Sequence, residues 1–432
     1  MFAETSAQTF FFRMGSQVNE MWRQKEYDET AFSSIALRAM QETPPSQQLS
    51  FWDAVKFAFL QEPLPMQTDI EATFAQPPLT VYWQSDFRIE LLFWVVGLPG
   101  IHQHAFSGAF HLLCGSSLHS RWVFEEREHL ESRLLLGNIR SMEAELLRRG
   151  DTREITAGSN FIHATYHLDR PSVSVVIRTN QEYGHLPQYS YLPPSIAFAS
   201  REAGPEVRRR SQMLKMMALA GRQKELIEIV LHFLEVADPF SAFHAIFDSY
   251  LLLPNETDRS RILTGGMRRH PRLVEAIKPA LRFEERRERI SKLRKRVTNS
   301  DLQFFLALLL NLPDRRSILD LVRARHRRAN AVGLIMAWLR ELSNLGLLET
   351  RFTPAQLHVI RELISGKTHN EIMQTTVNWC SAHGGTEPDQ ESLQRVIQAL
   401  QCYWLLQPLL ACDEGVNTSA QTRAQTDEYE PR

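Results

Sequence analysis

Two stretches decide how this chain of 432 residues is read: GLPGIHQHAFSGAFHLLCGSSLH, Gly97–His119, and GDTREITAGSNFIHATYHLDRPSVSVVIRT, Gly150–Thr179. On a strand, side chains two apart share a face, so the imidazoles of His102 and His104 project together while Gln103 points away. Two imidazoles on one face can share one metal ion, and a third ligand must come from another strand. The candidates are His163 and, four residues further along the same face, His167. Imidazole suits Fe, Zn, Cu and Ni alike, so ligand type leaves the metal open. Seven of the 15 histidines lie between His102 and His167, and chemistry is expected there.

Working outward, apolar residues alternate with period two in short runs from 79–83 to 173–179, separated by Gly, Pro and Asp, which predicts an antiparallel barrel or sandwich. A Leu/Arg/Glu-rich stretch, 126–149, reads as a helical insertion in it. Before the barrel, three- and four-residue apolar spacing predicts helices, with Ser50 an N-cap ahead of Phe51. After it, Pro193-Pro194 and Gly204-Pro205 mark a linker, and helical periodicity runs to about residue 410, with Thr353-Pro354 a helix start. The expected class is α+β and multi-domain: a helical segment over 1–76, an antiparallel β-barrel over 77–186, a linker over 187–205, an all-α domain over 206–412 and a disordered tail over 413–432.

The charge is balanced, 49 Lys and Arg against 50 Asp and Glu, and 43% of residues are hydrophobic, as in an ordinary globular protein. Four cysteines without a CxxC pair cannot build a disulfide framework or a zinc finger, which fits a reducing compartment. The N-terminus lacks a basic region and an apolar run long enough for a signal peptide, and no stretch reaches the ~18–20 apolar residues of a membrane span, so a cytoplasmic location is expected. The neutral total hides a basic segment, 259–328, in which Lys and Arg outnumber Asp and Glu by more than two to one. It lacks stacking aromatics or a recognition helix, so a solvated helical face or an acidic protein partner is expected ahead of nucleic acid.

The order Gly97, His102, His104, Gly108, Gly115 resembles the first motif of the cupins, and Gly150, Gly158 and His163 with His167 resemble the second, at a longer glycine-to-histidine spacing. The resemblance covers roughly residues 77–185. It implies a cupin-type antiparallel barrel holding a metal inside. Most cupins supply a carboxylate where this chain has Gly108. Three histidines without it resemble cysteine dioxygenase and related thiol dioxygenases, in which three histidines hold Fe(II). Carried over, His102, His104 and His163 (or His167 in its place) would hold Fe(II), with Zn, Ni, Cu or Mn also compatible. A small-molecule, peptide or carrier-bound substrate would then meet dioxygen.

The family's Ser-His-Tyr alternation falls on Ser174, Val176 and Arg178, so only the serine persists. The family's crosslinking cysteine falls on Gly108, and its carboxylate-binding arginine falls near Val81 and Tyr82. Arg178, if it points inward, supplies an anion-binding charge from another wall. His167 is expected beside the metal ligands, orienting one of them or donating to substrate. Tyr166 and Tyr82 are candidate pocket donors, while His111 and Cys114 read as core. The helical domain would recognise a larger substrate, bind a protein partner or form a homodimer. The alternative is a cupin sensor of ligand or metal, its basic helical half contacting a partner or nucleic acid.

Overall fold

The strand expected at 173–179 forms as Ser172–Thr179, and every one of its eight residues is buried. A strand buried on both faces needs two cores, and the two faces of this one meet different partners. The computed structural model describes residues 6–68, 70, 75–95, 100–180, 182–327, 329–384 and 388–410. Its strands are β1 (Pro78–Trp83), β2 (Phe87–Trp94), β3 (Ile101–His104), β4 (Gly108–Cys114), β5 (Ser116–Glu131), β6 (Leu134–Arg148), β7 (Thr152–Ile155), β8 (Gly158–His167), β9 (Ser172–Thr179), β10 (Ser190–Leu192) and β11 (Ile196–Phe198). They form a five-stranded sheet, β1-β2-β9-β4-β7, and a closed barrel, β10-β11-β6-β5-β8-β3, with antiparallel pairing throughout. The closed antiparallel barrel bears out the alternation, and helices precede and follow it as the helical periodicity predicted.

The outer face of the five-stranded sheet is covered by α1 (Ser6–Arg23), α2 (Phe32–Glu42), α3 (Pro45–Gln48) and α4 (Phe51–Leu60). Phe11, Met14, Phe32 and Met40 pack there on Ile89, Leu91, Val173, Val175 and Ile177. Each such side chain withdrawn from water contributes about 2 kcal/mol, which anchors these helices to the sheet. Ser50 caps α4 as expected, in a reciprocal capping box with Asp53. The other face of β9 presents Ser174, Val176 and Arg178 to a cavity.

Three expectations change. Residues 126–149 are not helical: they form the outer part of the long β5–β6 hairpin, in which cross-strand partners such as Glu125 and Asn138 override the helical propensity of Leu, Arg and Glu. Residues 187–205 are not a bare linker, because β10 and β11 lie there, β10 pairing with β3 and β11 with β6, and so close the barrel. The chain divides within the helical region, into one unit of Met1–Asn311 with Leu321–Arg327 and another of Leu312–Asp320 with Arg328–Arg432. Gly97 and the tail 413–432 lie outside the described residues.

In the first unit, α5 (Pro205–Leu219), α6 (Gln223–Leu234), α7 (Pro239–Leu252), α8 (Glu256–Met267) and α9 (Pro271–Lys295) share a core with the barrel, where Leu134, Leu192 and Ile196 join Phe240, Phe243 and Ile246. Most of the basic segment's charged side chains face solvent, but a few arginines are turned inward or paired. Arg286 donates to Leu309 O (2.7 Å), Arg294 to Gln303 O (3.1 Å) and Leu168 O (3.3 Å), Arg259 pairs with Glu285, and Arg325 pairs with Asp301 (3.5 Å). The second unit is helical. Pro354–Ile364 starts on a Thr353–Gln356 capping box, and His369–Ala382 and Gln390–Gln401 follow. Among the described residues no helix is long and apolar enough to cross a membrane.

His111, on β4, clamps α3 to the sheet. The Ser46 amide donates to its Nε2 (3.2 Å), which must therefore be bare, and Nδ1–H donates to Thr152 Oγ1 (2.8 Å). Burial lowers its pKa to about 4. The folded state thus binds fewer protons than the unfolded chain between pH 6.5 and 4, and stability falls as pH drops through that window. From pH 7 to 5 this group should cost roughly 2 kcal/mol. His111→Gln keeps both bonds but cannot titrate, so in urea unfolding the variant should lose less stability than wild type over that range. Parallel losses would show that His111 is not held neutral.

Candidate metal centre

The alternation of IHQH puts Ile101 and Gln103 on the buried outer side of β3, where Gln103 Oε1 accepts from Tyr191 Oη–H (2.5 Å), and turns His102 and His104 into the cavity. His163 reaches the same place from β8, paired directly opposite His102. The register then shifts: His104 faces Gly158, so five residues of β8 span two of β3. This irregularity absorbs the long glycine-to-histidine spacing of the second motif. Gly158 has φ +80°, a left-handed conformation that glycine adopts without strain.

One ring nitrogen from each of His102, His104 and His163 lies within 4.8 Å of the others. A carbonyl only accepts, so the 2.9 Å contact of His102 Nδ1 with Gly100 O requires Nδ1–H and leaves Nε2 with its lone pair. His104 Nε2 and His163 Nε2 stand 2.9 Å apart, close enough to share one proton, and a cation could take that proton's place. His104 Nδ1 is buried without a partner. Burial lowers the pKa of His102 against the opposing bond to Gly100 O, and burial together with neighbouring positive groups holds His104 and His163 well below 6.5. Neutral imidazole is the ligating form, so these residues fit a metal ion.

The cavity has a volume of about 390 Å³, within the range of small-molecule sites. Leu92, Trp94, Phe106, Phe110 and Val176 make its walls largely apolar. His167 lines it but stands outside the three-histidine group. Its ring stacks on Trp94 at 4.4 Å, its Nδ1 meets Ser117 Oγ (2.9 Å) and Ser172 Oγ (3.2 Å), and its Nε2 is buried with no partner. Burial takes its pKa down to about 3. Arg178 also points inward, its guanidinium 3.7 Å from the Phe106 ring centre and 3.6 Å from Glu90.

Tyr166 does not line the cavity. It occupies the opposite face of β8 from His163, Thr165 and His167, as strand alternation demands, and its ring lies under Arg294 at 5.2 Å. Tyr82 packs against Phe12 and Phe87 beside α1, also away from the cavity. Sequence reasoning missed Glu90, the only carboxylate lining the cavity among the described residues. It is bonded to Arg88 Nε (2.9 Å) as well as facing Arg178. The signal was there: one acid inside the apolar run FRIELLFW, with Glu90, Leu92 and Trp94 on one face and Ile89, Leu91 and Phe93 on the other.

No protein-family model and no curated protein matches this sequence. Solved structures similar over part of the chain include one described as DMSP lyases RdDddP and RnDddQII, at 15% identity over 40% of this chain and 95% of that one, TM-score 0.23. Another is DMSP lyase DddQ from Ruegeria pomeroyi, at 18% identity over 33% of this chain and 70% of that one, TM-score 0.19. Likenesses this slight add nothing to what the barrel and its histidines establish.

Gly108 stands where a carboxylate ligand would be expected, and no side chain fits there. A Cβ would lie 2.0 Å from Ile177 O and 2.9 Å from Arg178 Cα, both backbone atoms of β9. Gly108→Glu should therefore cost about 3 kcal/mol or more by forcing the strands apart, and should not tighten metal binding. A variant with unchanged melting temperature and tighter metal binding would refute this reading.

Proposed function

We propose that this protein is a cupin-type metalloenzyme, a mononuclear non-haem iron oxygenase of the thiol-dioxygenase kind, acting on a small substrate or on the small end of a peptide or carrier-bound one. The observation that carries the reading is the convergence of three neutral imidazoles, His163 buried and His102 and His104 half-buried, on one cavity, with the nearby carboxylate Glu90 held by Arg88 and Arg178 outside their group. His102, His104 and His163 would hold the ion. When bound, Fe(II) supplies Lewis acidity and one-electron chemistry toward dioxygen, with open positions that three ligands leave.

The chain's own residues do the rest. Arg178 presents a cation to an anionic substrate group, with Glu90 fixing where the guanidinium sits. His167, braced by Trp94 and two serine hydroxyls, offers its unpartnered Nε2 to a substrate proton or lone pair. Phe106 and Phe110 keep water from the site. The sensor alternative needs the basic segment as a contact surface; Arg259, Arg286 and Arg294 are spent on internal partners, while most of that segment's other charged side chains are exposed.

Anaerobically purified protein should bind one equivalent of Fe(II), and His102→Ala and His163→Ala should each lose it. His167→Phe, which keeps the stacking but not the nitrogen, should retain the metal while kcat/KM falls about 10²–10⁴-fold. Metal loss in that variant would instead make His167 the third ligand. Oxygen uptake should accompany turnover of a thiol. Metal binding without oxygen uptake across a thiol panel would eliminate the dioxygenase reading, and no metal in wild type would eliminate the metalloenzyme.

A further inference from the structure

Behind His163, on the side away from the cavity, lies a chain of polar groups that the proposed chemistry does not use. His119, on β5, is buried, with Nε2 3.1 Å from His163 Nδ1 and Nδ1 2.9 Å from Glu145 Oε1 on β6. Arg153, on β7, donates from Nε to Glu145 Oε1 (2.8 Å) and from a terminal nitrogen to Oε2. Phe110 packs edge-on against the His119 ring at 5.6 Å and Phe161 lies along it at 6.2 Å, so the imidazole cannot turn away. None of this was visible as a motif, because the four residues come from four strands.

We infer that His119, held by Glu145 and Arg153, is a positioning residue that locks His163 in its Nδ1–H tautomer and so aims the Nε2 lone pair at His104 and the cavity. The argument follows the direction of each bond. An ionised carboxylate only accepts, so His119 Nδ1 must carry the hydrogen it gives to Glu145. His119 Nε2 is then free to accept, and the only donor at 3.1 Å is His163 Nδ1–H. His163 Nε2 is left bare, 2.9 Å from His104 Nε2. Reversing any one bond would put a hydrogen on His163 Nε2 and remove it as a ligand. The inference rests on His163 being a metal ligand, as proposed above, but its structural half is independent of that. Partners that fix a ligating histidine's tautomer commonly account for 10–100-fold in metal affinity.

The full-length protein decides it in two ways. Long-range proton–nitrogen correlation spectra of the metal-free protein should show His163 as the Nδ1–H tautomer; an Nε2–H signal overturns the inference without any variant. Zn(II) affinity, measured by chelator competition, should fall 10–100-fold in His119→Phe and return to within a few-fold of wild type in His119→Gln. The glutamine can still accept from His163 and donate to Glu145. Equal affinity in wild type and His119→Phe would overturn the inference, as would a glutamine variant no better than phenylalanine. If wild type binds no Zn(II) or Fe(II), the proposed function fails while the tautomer of His163 still decides this inference.

Discussion

Sheet β1-β2-β9-β4-β7 has to serve two faces at once, covered on one by the N-terminal helices and walling the cavity with the other. Val173, Val175 and Ile177 lie under the N-terminal helices in a hydrophobic layer, while the alternate residues of β9 help to wall a largely apolar cavity. That constraint governs the chemistry. Desolvation in a largely apolar cavity penalises a charged imidazole, so His102, His104, His163 and His167 are all driven toward the neutral form. Glu90, the one carboxylate on the wall among the described residues, is paired with two arginines, as a buried acid must be. Covering helices and neutral histidines thus both follow from desolvation on the two sides of one sheet.

What could be read from the sequence was what local spacing dictates. Period-two alternation located β1, β2, β4, the start of β5, β7, β8 and β9, and the His-x-His pair follows from the same period. Ser50 and Thr353 announce their helices through bonds to residues three positions away. What could not be read depends on partners distant in the chain. Residues 126–149 are rich in helix formers, yet they find β5 or β6 across a hairpin before they could compete as a helix. Tyr166 looked like a pocket donor beside His163, but adjacent residues on a strand face opposite ways. Val176 and Arg178 were placed correctly on one face with Ser174, while Glu90 became relevant only once β2 lay beside β9 with Glu90 opposite Val176. The His119 chain was the least legible part, because its four members sit on four strands and its link to His163 spans 44 residues.

The basic helical segment carries a related lesson about composition. A run such as Arg286-Arg287 suggests a surface looking for phosphate, but a long side chain with five donors is also well suited to satisfying backbone carbonyls inside a helical array. Arg286 does that for Leu309, and burial brings its pKa down to about 10 while leaving it charged near neutrality. Part of the segment's basic excess is therefore spent on internal partners, while most of its charged side chains face solvent.

The pairing of β3 with β8 sets an order of assembly. His104 and His163 are 59 residues apart, and the hairpin β5–β6 lies between them. During synthesis the His102–His104 pair emerges first and must wait for the whole hairpin, then for β8, before a third imidazole can reach it; β10, the other neighbour of β3, emerges later still. The hairpin closes over few residues and can form early, whereas the chamber depends on contacts with a large loop-closure cost. An ion taken up by the finished site would act as a late clasp, favouring the closed barrel over the partly assembled one by mass action. Such a site guards its histidine pair against premature ions by geometry alone, since two imidazoles on an unpaired strand hold a metal far less well than three in a closed chamber.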